Sequence, residues 1–448
     1  MRTRFVVSEL DIDPMGGVVA EQGWQSWSPS ATYPVGTVPF RWADERMRLL
    51  CYRPEVVEAG PVYRGEGLLA ARPAPDGPVH VWSAADGVID VPTIELEIAG
   101  TRARVSADGA VDHHVDDAGG GVDGALARWA NRFADRVGVG AIRRAPTVWC
   151  SWYHYFTGVT EADIDENLSA IVSEELPVDV IQLDDGYQTA HGDWLKPSDR
   201  FDDLPAMVER IRSAGKRAGI WLAPHLVFPE SDLATEHPDW LVRTDEGAPA
   251  LGGSNWGRDC LVLDTTNPAA LDHLLSIFRT MAGWGIDYFK IDFIYAGAIP
   301  GRRHLDLPPL EAYRQSLMAI RSAIGDAYLL GCGAPMLPSV GLVDAMRVSP
   351  DTGPEYEPWS GDYSQPASRA AMITGRARAF MHGRFWVNDP DCLIVRPEVE
   401  RREEWADHVA AWGGLRASSD RIASLDEWGL AKTRELLSCS PVEPFIAS

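Results

Sequence analysis

The sequence predicts an α/β protein, a (β/α)8 TIM barrel preceded by a β-rich domain, and three observations support this. From about residue 145 apolar strand-like segments alternate with amphipathic helical ones, and eight strand candidates can be counted. That number of repeated units favours a closed parallel barrel, with an open doubly wound sheet as the alternative. Before residue 117 the chain instead shows short alternating strands broken by Gly, Asp and Pro. The length of 448 residues suits two or three domains or one large barrel with an appendage, and 45% hydrophobic with 24% charged residues is the composition of an ordinary globular protein. The expected domains are residues 1–140, β-rich with a linking helix; 141–430, the barrel; and 431–448, a short C-terminal tail.

Within the first domain, "PVHVWSA", "TIELEIAG" and "TRARVSADG" alternate apolar and polar positions as half-buried strands do. After "DDAGGG", the stretch "VDGALARWANRFADRVG" spaces Leu126, Trp129, Phe133 and Val137 as one face of a helix. The barrel then opens with the strand "TVWCSWY", followed by a helix carrying Ile164, Leu168 and Ile171 on one face. "VDVIQLDD" and "RAGIWLAP" flank a helix around Leu204, Met207, Val208 and Ile211. About forty residues between Pro224 and Asp264 are long for a connection and are expected to shape a pocket mouth. Helix 268–284 and strand "DYFKIDF" come next, then helix 309–324, "YLLGCGA", a short turn or helix and "AMRVSPD". A helix over 366–381, "RFWVNDPD", a helix over 398–412, "GLRASSD" and a last helix complete the series.

Charge and composition exclude several function classes. With 65 acidic against 41 basic residues the net charge is −24, so a phosphate backbone or an anionic membrane would be repelled. The start, "MRTRFVVSELDIDP", reaches acidic residues before any apolar run long enough for a signal peptide, and no later run approaches a membrane span. A cytoplasmic location is expected. Six cysteines show no CxxC spacing, so neither a zinc site nor a disulfide framework is expected.

Barrels carry chemistry at the C-terminal ends of their strands. Here those ends are acidic: Asp184 and Asp185 on the second strand, Asp292 on the fourth, Asp351 on the sixth, Asp389 and Asp391 on the seventh, Asp420 on the eighth. Any one of them could equally cap the following helix. Trp149, Trp152, Tyr153, Trp194, Trp221 and Trp386 lie on or just after strands. Carboxylates beside aromatic faces suit a neutral polyhydroxylated ligand. In "YFKIDF", Lys290 and Asp292 share a strand face, opposite Phe289, Ile291 and Phe293. Two enclosed opposite charges form either a structural ion pair or a reactive site. Two carboxylates flanking a glycosidic bond can cleave it. Asp292 beside Lys290 suits the nucleophile, and Asp351, four residues after Arg347, could be the acid/base, although other aspartates compete for that role.

"GWQSWS", "QLDDGYQ" with "GDW", "GIWLAP" with "HPDWLV", "LVLDTTNP", "IDYFKIDF", "GCGAPMLPSVGLVDAMRVSPD" and "VNDPDC" follow in order. Over roughly residues 20–425 the chain thus resembles glycoside hydrolase family thirty-six, whose best-known members are α-galactosidases. The resemblance implies an exo-acting retaining α-galactosidase that cleaves terminal α-D-galactosyl residues from small galactosides or oligosaccharides, with no metal or organic cofactor. It implies Asp292 as nucleophile and Asp351 as acid/base. It also implies Asp184 and Asp185 as acceptors for the galactose 4- and 6-hydroxyls, and Lys290 touching both sugar and nucleophile. Arg347 would lie near the 2-hydroxyl, with Trp221 as the pocket floor and Trp152, Cys332 and one of Trp24 or Trp27 at its edges. The family's C-terminal β-sandwich is expected to be missing or vestigial, and an oligomer is possible. An α-N-acetylgalactosaminidase and an α-galactosyl transferase are the nearest alternatives. A Schiff-base lyase using Lys290, a divalent-metal enzyme and a non-catalytic sugar-binding protein are further ones.

Overall fold

The computed structural model describes residues 3–42, 47–53 and 62–448; the first two residues of the N-terminal segment read above lie outside them. Eight strands form one parallel sheet: Val148–Cys150, Val180–Leu183, Arg217–Leu222, Ile286–Ile291, Tyr328–Gly331, Ala345–Arg347, Val387–Asp389 and Ala417–Ser418. From the first to the seventh each pairs with its successor, and the first also pairs with the eighth. The remaining seam closes where Gly414 and Leu415 N–H donate to the Asn388 carbonyl at 3.1 and 3.0 Å. The sheet is therefore a barrel. Its strands are short and almost entirely buried, which is why they appear as near-continuous apolar runs.

The helices start where local chemistry lets them. Glu161–Ser173 opens on a capping box between Thr160 and Asp163, Leu204–Ser213 on Asp203, and Pro268–Gly283 on Asn267 with proline at the first position. The helix expected over 366–381 is shorter, Ser368–Ala377, and tightens into a 3-10 turn at Ala379–Met381. The one expected from 398 begins only at Arg402, because Arg401 takes a left-handed φ of 50°. Glu427–Leu436, the last helix, runs across residue 430.

The β-rich domain has two antiparallel sheets, of four and five strands. Val19, Leu69 and Trp82 from one sheet and Ile94, Leu96 and Val105 from the other share a core. The three strands expected from alternation are Val79–Ala84, Thr93–Ala99 and Arg102–Ala107. Strand Leu68–Arg72 is buried on both faces, because helix Gly121–Val137 covers the side turned away from that core. Trp129 of this helix meets Phe380 and Phe385 of the barrel at 6.2 and 6.0 Å between ring centres, so the linking helix also joins the two domains.

A second junction is polar. Met336 N–H donates to Trp24 O and Ser26 N–H to Ala334 O, tying "GWQSWS" to the loop after the fifth barrel strand. Under that loop lies Arg378, fully buried, which donates to the carbonyls of Ser26 (2.6 Å), Gln25 (2.8 Å), Val348 (2.9 Å) and Ser28 (3.0 Å). A guanidinium can serve so many acceptors because its donors fan out in a rigid plane. Arg378→Met should lower unfolding stability by about 3 kcal/mol or more, since buried carbonyls lose their donor. Urea denaturation measures this, and a loss under about 1 kcal/mol would show that the clamp is not needed.

Candidate active site

The fourth strand places Lys290 among carboxylates at the top of the barrel. Phe289 and Ile291 face outward into the layer beneath the helices, while Tyr288 packs in a separate cluster, as alternation requires. Lys290 Nζ lies 3.0 Å from Asp184 Oδ2 and 3.8 Å from Asp292 Oδ2. Its nearer partner is thus on the second strand rather than its own. Burial disfavours the Lys290 cation, but Asp184 and Asp292 more than offset this and hold its pKa well above the ordinary range.

Asp292 is held by neutral donors as well: Trp221 Nε1 at 3.0 Å and Phe293 N–H at 2.8 Å. Phe293 adopts a left-handed φ of 50° to turn its N–H onto the carboxylate. The turn fits because Gly333 passes against it, where a Cβ would come within 2.8 Å of Phe293 N and of the Trp27 ring. Asp184 accepts from Gln182 Nε2 at 2.7 Å, from the Cys150 thiol at 3.3 Å and from Asp185 N–H at 2.9 Å.

Asp185 is served by a flap. The long connection after the third strand folds into a small antiparallel sheet of Leu226–Val227, Leu251–Asn255 and Arg258–Val262. Its hairpin turns on Trp256 and Gly257, at φ 54° and 72°, where a two-residue turn needs positive φ at both positions. This delivers Trp256 Nε1 to Asp185 Oδ2 at 2.8 Å, while Gln188 Nε2 donates to Oδ1 at 2.6 Å and His191 Nε2 lies 3.4 Å from it. Burial pushes the Asp185 pKa up, but His191, Gln188 and Trp256 together take it below the usual carboxylate value.

On the sixth and seventh strands Arg347, itself buried, gathers three carboxylates. It meets Asp391 through Nη1 at 2.8 Å and Nη2 at 2.6 Å, Asp351 through Nη1 at 2.9 Å, and Asp389 through Nε at 3.4 Å. Asp351 remains 31% exposed at a pocket mouth. Loss of solvation around its carboxyl raises its pKa; Arg347 opposes the rise and the Asp292 charge adds to it. A cavity of about 230 Å³ opens beside it, lined by Trp27, Trp152, Phe293, Asn255, Cys51 and Gln365 among others.

The structure thus brings together Asp184, Asp185, Asp292, Lys290, Arg347, Asp351, Trp221, Trp152 and Trp27. Cys332 is buried among them, its thiol pushed well up first by burial and then by Asp292. Trp24 is elsewhere, packed with Val91 and Leu310 under the Arg53 guanidinium, so Trp27 is the tryptophan of that motif at the pocket. Trp149 and Trp386 are core residues whose indole N–H groups are used by Asp420 O and Asn388 Oδ1, and Asp420 serves Val395 N–H and Arg396. Sequence reasoning missed Trp256, and also Leu50, Cys51 and Gln365 at the pocket; the long connection after the third strand was expected to shape the pocket mouth, but nothing in it pointed to Asp185. Among the described residues no three His, Cys, Asp or Glu side chains are grouped so as to hold a metal ion.

The melibiase family model matches residues 141–310. The chain is similar to the α-galactosidase from Thermus thermophilus, solved in complex with p-nitrophenyl α-D-galactopyranoside and with stachyose. In the first complex the identity is 30% over 98% of this chain and 90% of that one, with a TM-score of 0.79. It is 30% identical to an α-galactosidase of Escherichia coli over 31% of this chain and 21% of that protein. Against α-galactosidase AgaA of Geobacillus stearothermophilus the identity is 26% over 41% of this chain and 26% of that protein. The chain therefore matches only about a quarter or less of the length of these two curated relatives.

Trp256→Phe should keep the aromatic packing against His191 and Phe293 while deleting the donor to Asp185. A hydrogen bond to a charged acceptor is worth about 1.5–3 kcal/mol, so flap amides over 251–262 should exchange roughly tenfold faster or more. Unchanged hydrogen exchange would mean that the indole N–H does not hold the flap.

Proposed function

The chain belongs to the melibiase family, glycoside hydrolase family thirty-six, and from that premise we propose that it is a retaining, exo-acting α-galactosidase. The observation that carries this reading is the contrast between two carboxyls in one site. Asp292 is surrounded by donors suited to an anion, whereas loss of solvation raises the Asp351 pKa against the pull of Arg347, with the Asp292 charge adding to the rise.

In this mechanism Asp292 attacks the anomeric carbon as its bond to the leaving oxygen breaks, and the proton of Asp351 passes to that oxygen. The product is a β-galactosyl-aspartate. Asp351, now a carboxylate, takes a proton from water whose oxygen attacks the same carbon and releases Asp292. Lys290, protonated between Asp184 and Asp292, steadies the nucleophile and faces the sugar. Its raised pKa argues against the lyase alternative, which needs a neutral amine. Asp184 and Asp185 accept from the galactose 4- and 6-hydroxyls. Glucose, lacking the axial 4-hydroxyl, would leave one of these carboxylates short of a donor, which can discriminate by several kcal/mol.

The ligands of the Thermus thermophilus relative, an aryl α-galactoside and stachyose, support small α-galactosides and oligosaccharides as the substrate class. Arg347, fixed by three carboxylates, and the buried Cys332 favour a plain 2-hydroxyl over a bulkier 2-acetamido group. A cytoplasmic location is proposed with the activity, on the ground that the six cysteines are all free thiols.

Asp292→Ala should lower turnover of an aryl α-galactoside by about three orders of magnitude or more, and added azide should return β-galactosyl azide. Proton NMR of the wild-type reaction should show α-galactose as the first product. Retained activity in Asp292→Ala, or β-galactose as the first product, would sink the mechanism.

A further inference from the structure

Asp391 is a buried carboxylate for which the mechanism above has no use. It has no exposed surface, and its backbone φ is 95°, a conformation that L-residues rarely adopt. Four groups converge on it through five contacts. Arg347 meets it with both terminal nitrogens, at 2.6 and 2.8 Å. Thr352 N–H donates at 2.8 Å and Cys392 N–H at 2.6 Å, and the Tyr153 hydroxyl donates to Oδ2.

The arrangement is unusual because Arg347 Nη1 is shared: the same nitrogen donates to Asp351 at 2.9 Å and to Asp391 at 2.8 Å. Alone beside Asp351, an arginine would hold that carboxyl ionised, typically lowering its pKa by about 1–3 units, and an ionised Asp351 cannot protonate a leaving group. Resting on the reading of Asp351 as acid/base, we propose that Asp391 is a positioning residue that neutralises Arg347, so that Arg347 can orient Asp351 without stripping its proton. Burial pushes the Asp391 carboxyl up to about 7, while Arg347 and the Tyr153 hydroxyl pull it back toward the anion, and Asp389 assists at Arg347 Nε.

The charged and titratable surroundings are consistent with this assignment. Asp351 faces Arg347 at the end of the strand before it, and Asp292, Lys290 and Asp184 across the barrel mouth. The thiols of Cys51 and Cys332 and the Tyr153 hydroxyl also face it. Asp391 faces Arg347, Asp351, Asp389, Tyr153 and Cys392. Asp391 and Asp389 are the anions on Arg347 other than the acid itself, and Asp391 alone engages both terminal nitrogens.

A purely structural role, stapling the loops of Thr352 and Cys392, predicts a uniform loss of activity when Asp391 is changed. The proposed role predicts a selective one. In Asp391→Asn, the alkaline limb of the kcat/KM profile should move down by about one pH unit. Hydrolysis of an alkyl or oligosaccharide α-galactoside should fall at least tenfold more than that of p-nitrophenyl α-galactoside, whose leaving group needs little protonation. Tyr153→Phe, which removes one donor to Asp391 without changing any formal charge, should shift the limb in the same direction by less. It also reads the proposal should Asp391→Asn not fold. An unmoved limb with equal losses on both substrates overturns the assignment. Asp351→Asn, run alongside, separates the two levels. If it keeps the wild-type limb and leaving-group profile, the acid/base reading itself fails; if it loses them while Asp391→Asn and Tyr153→Phe leave the limb in place, only this inference fails.

Discussion

The upper end of the barrel is organised by an imbalance of charge. Asp184, Asp185, Asp292, Asp351, Asp389 and Asp391 crowd there, all but Asp351 buried, against two cations, Lys290 and Arg347. Enclosed carboxylates are tolerated only with ion partners or hydrogen-bond donors, and two cations do not suffice for six carboxyl groups. The deficit is met by neutral donors: the indoles of Trp221 and Trp256, the amides of Gln182 and Gln188, the thiol of Cys150, the hydroxyl of Tyr153 and several backbone N–H groups. A polyhydroxylated ligand brings further donors. Under the proposed function the sugar completes a hydrogen-bond set that the protein leaves partly open, so specificity and charge stabilisation come from the same atoms.

Such donors must be held in place, and this explains why so much of the chain outside the barrel bears on the site. The five-stranded sheet carries the "GWQSWS" loop, Arg378 clamps that loop's carbonyls from below, and Trp27 is thereby set edge-on against Phe293 at 4.8 Å, next to Asp292. The flap likewise comes from outside the barrel's eight strands, from a connection that a (β/α)8 barrel does not require. Loss of Arg378 would therefore be felt at the pocket without any direct contact with a ligand.

The barrel was legible because its signal is repetitive: buried strands as apolar runs, helices with one apolar face, and acids at strand ends. The nucleophile candidate was legible for a local reason, since Lys290 and Asp292 on one strand face demand an explanation within six residues. What could not be read was partnership across the sequence. Alternation places Lys290 beside Asp292, yet its shorter contact is to Asp184, more than a hundred residues earlier. The motif "GWQSWS" could not say which tryptophan faces the pocket, because that depends on how Ser26 and Ala334 pair. Asp420 and Asp391 look alike as strand-end acids, but one fastens a neighbouring loop and the other faces Arg347. Family resemblance supplied roles where spacing alone left several aspartates equivalent.

Backbone strain follows the same logic as charge. Among the described residues six non-glycine residues have positive φ, and three of them touch the carboxylate cluster: Phe293, Trp256 and Asp391. The first two turn a donor toward an aspartate, and the third is itself the acceptor of five. Each such conformation costs about 1–3 kcal/mol, comparable to one charge-assisted hydrogen bond to a buried carboxylate. The strain is therefore stable only while the carboxylate it serves stays ionised or firmly bound. Asparagine, which tolerates left-handed backbone, would relieve Asp391 of its charge without relieving its geometry. Charge and shape at this position can thus be separated, and only the charge bears on whether Asp351 keeps its proton.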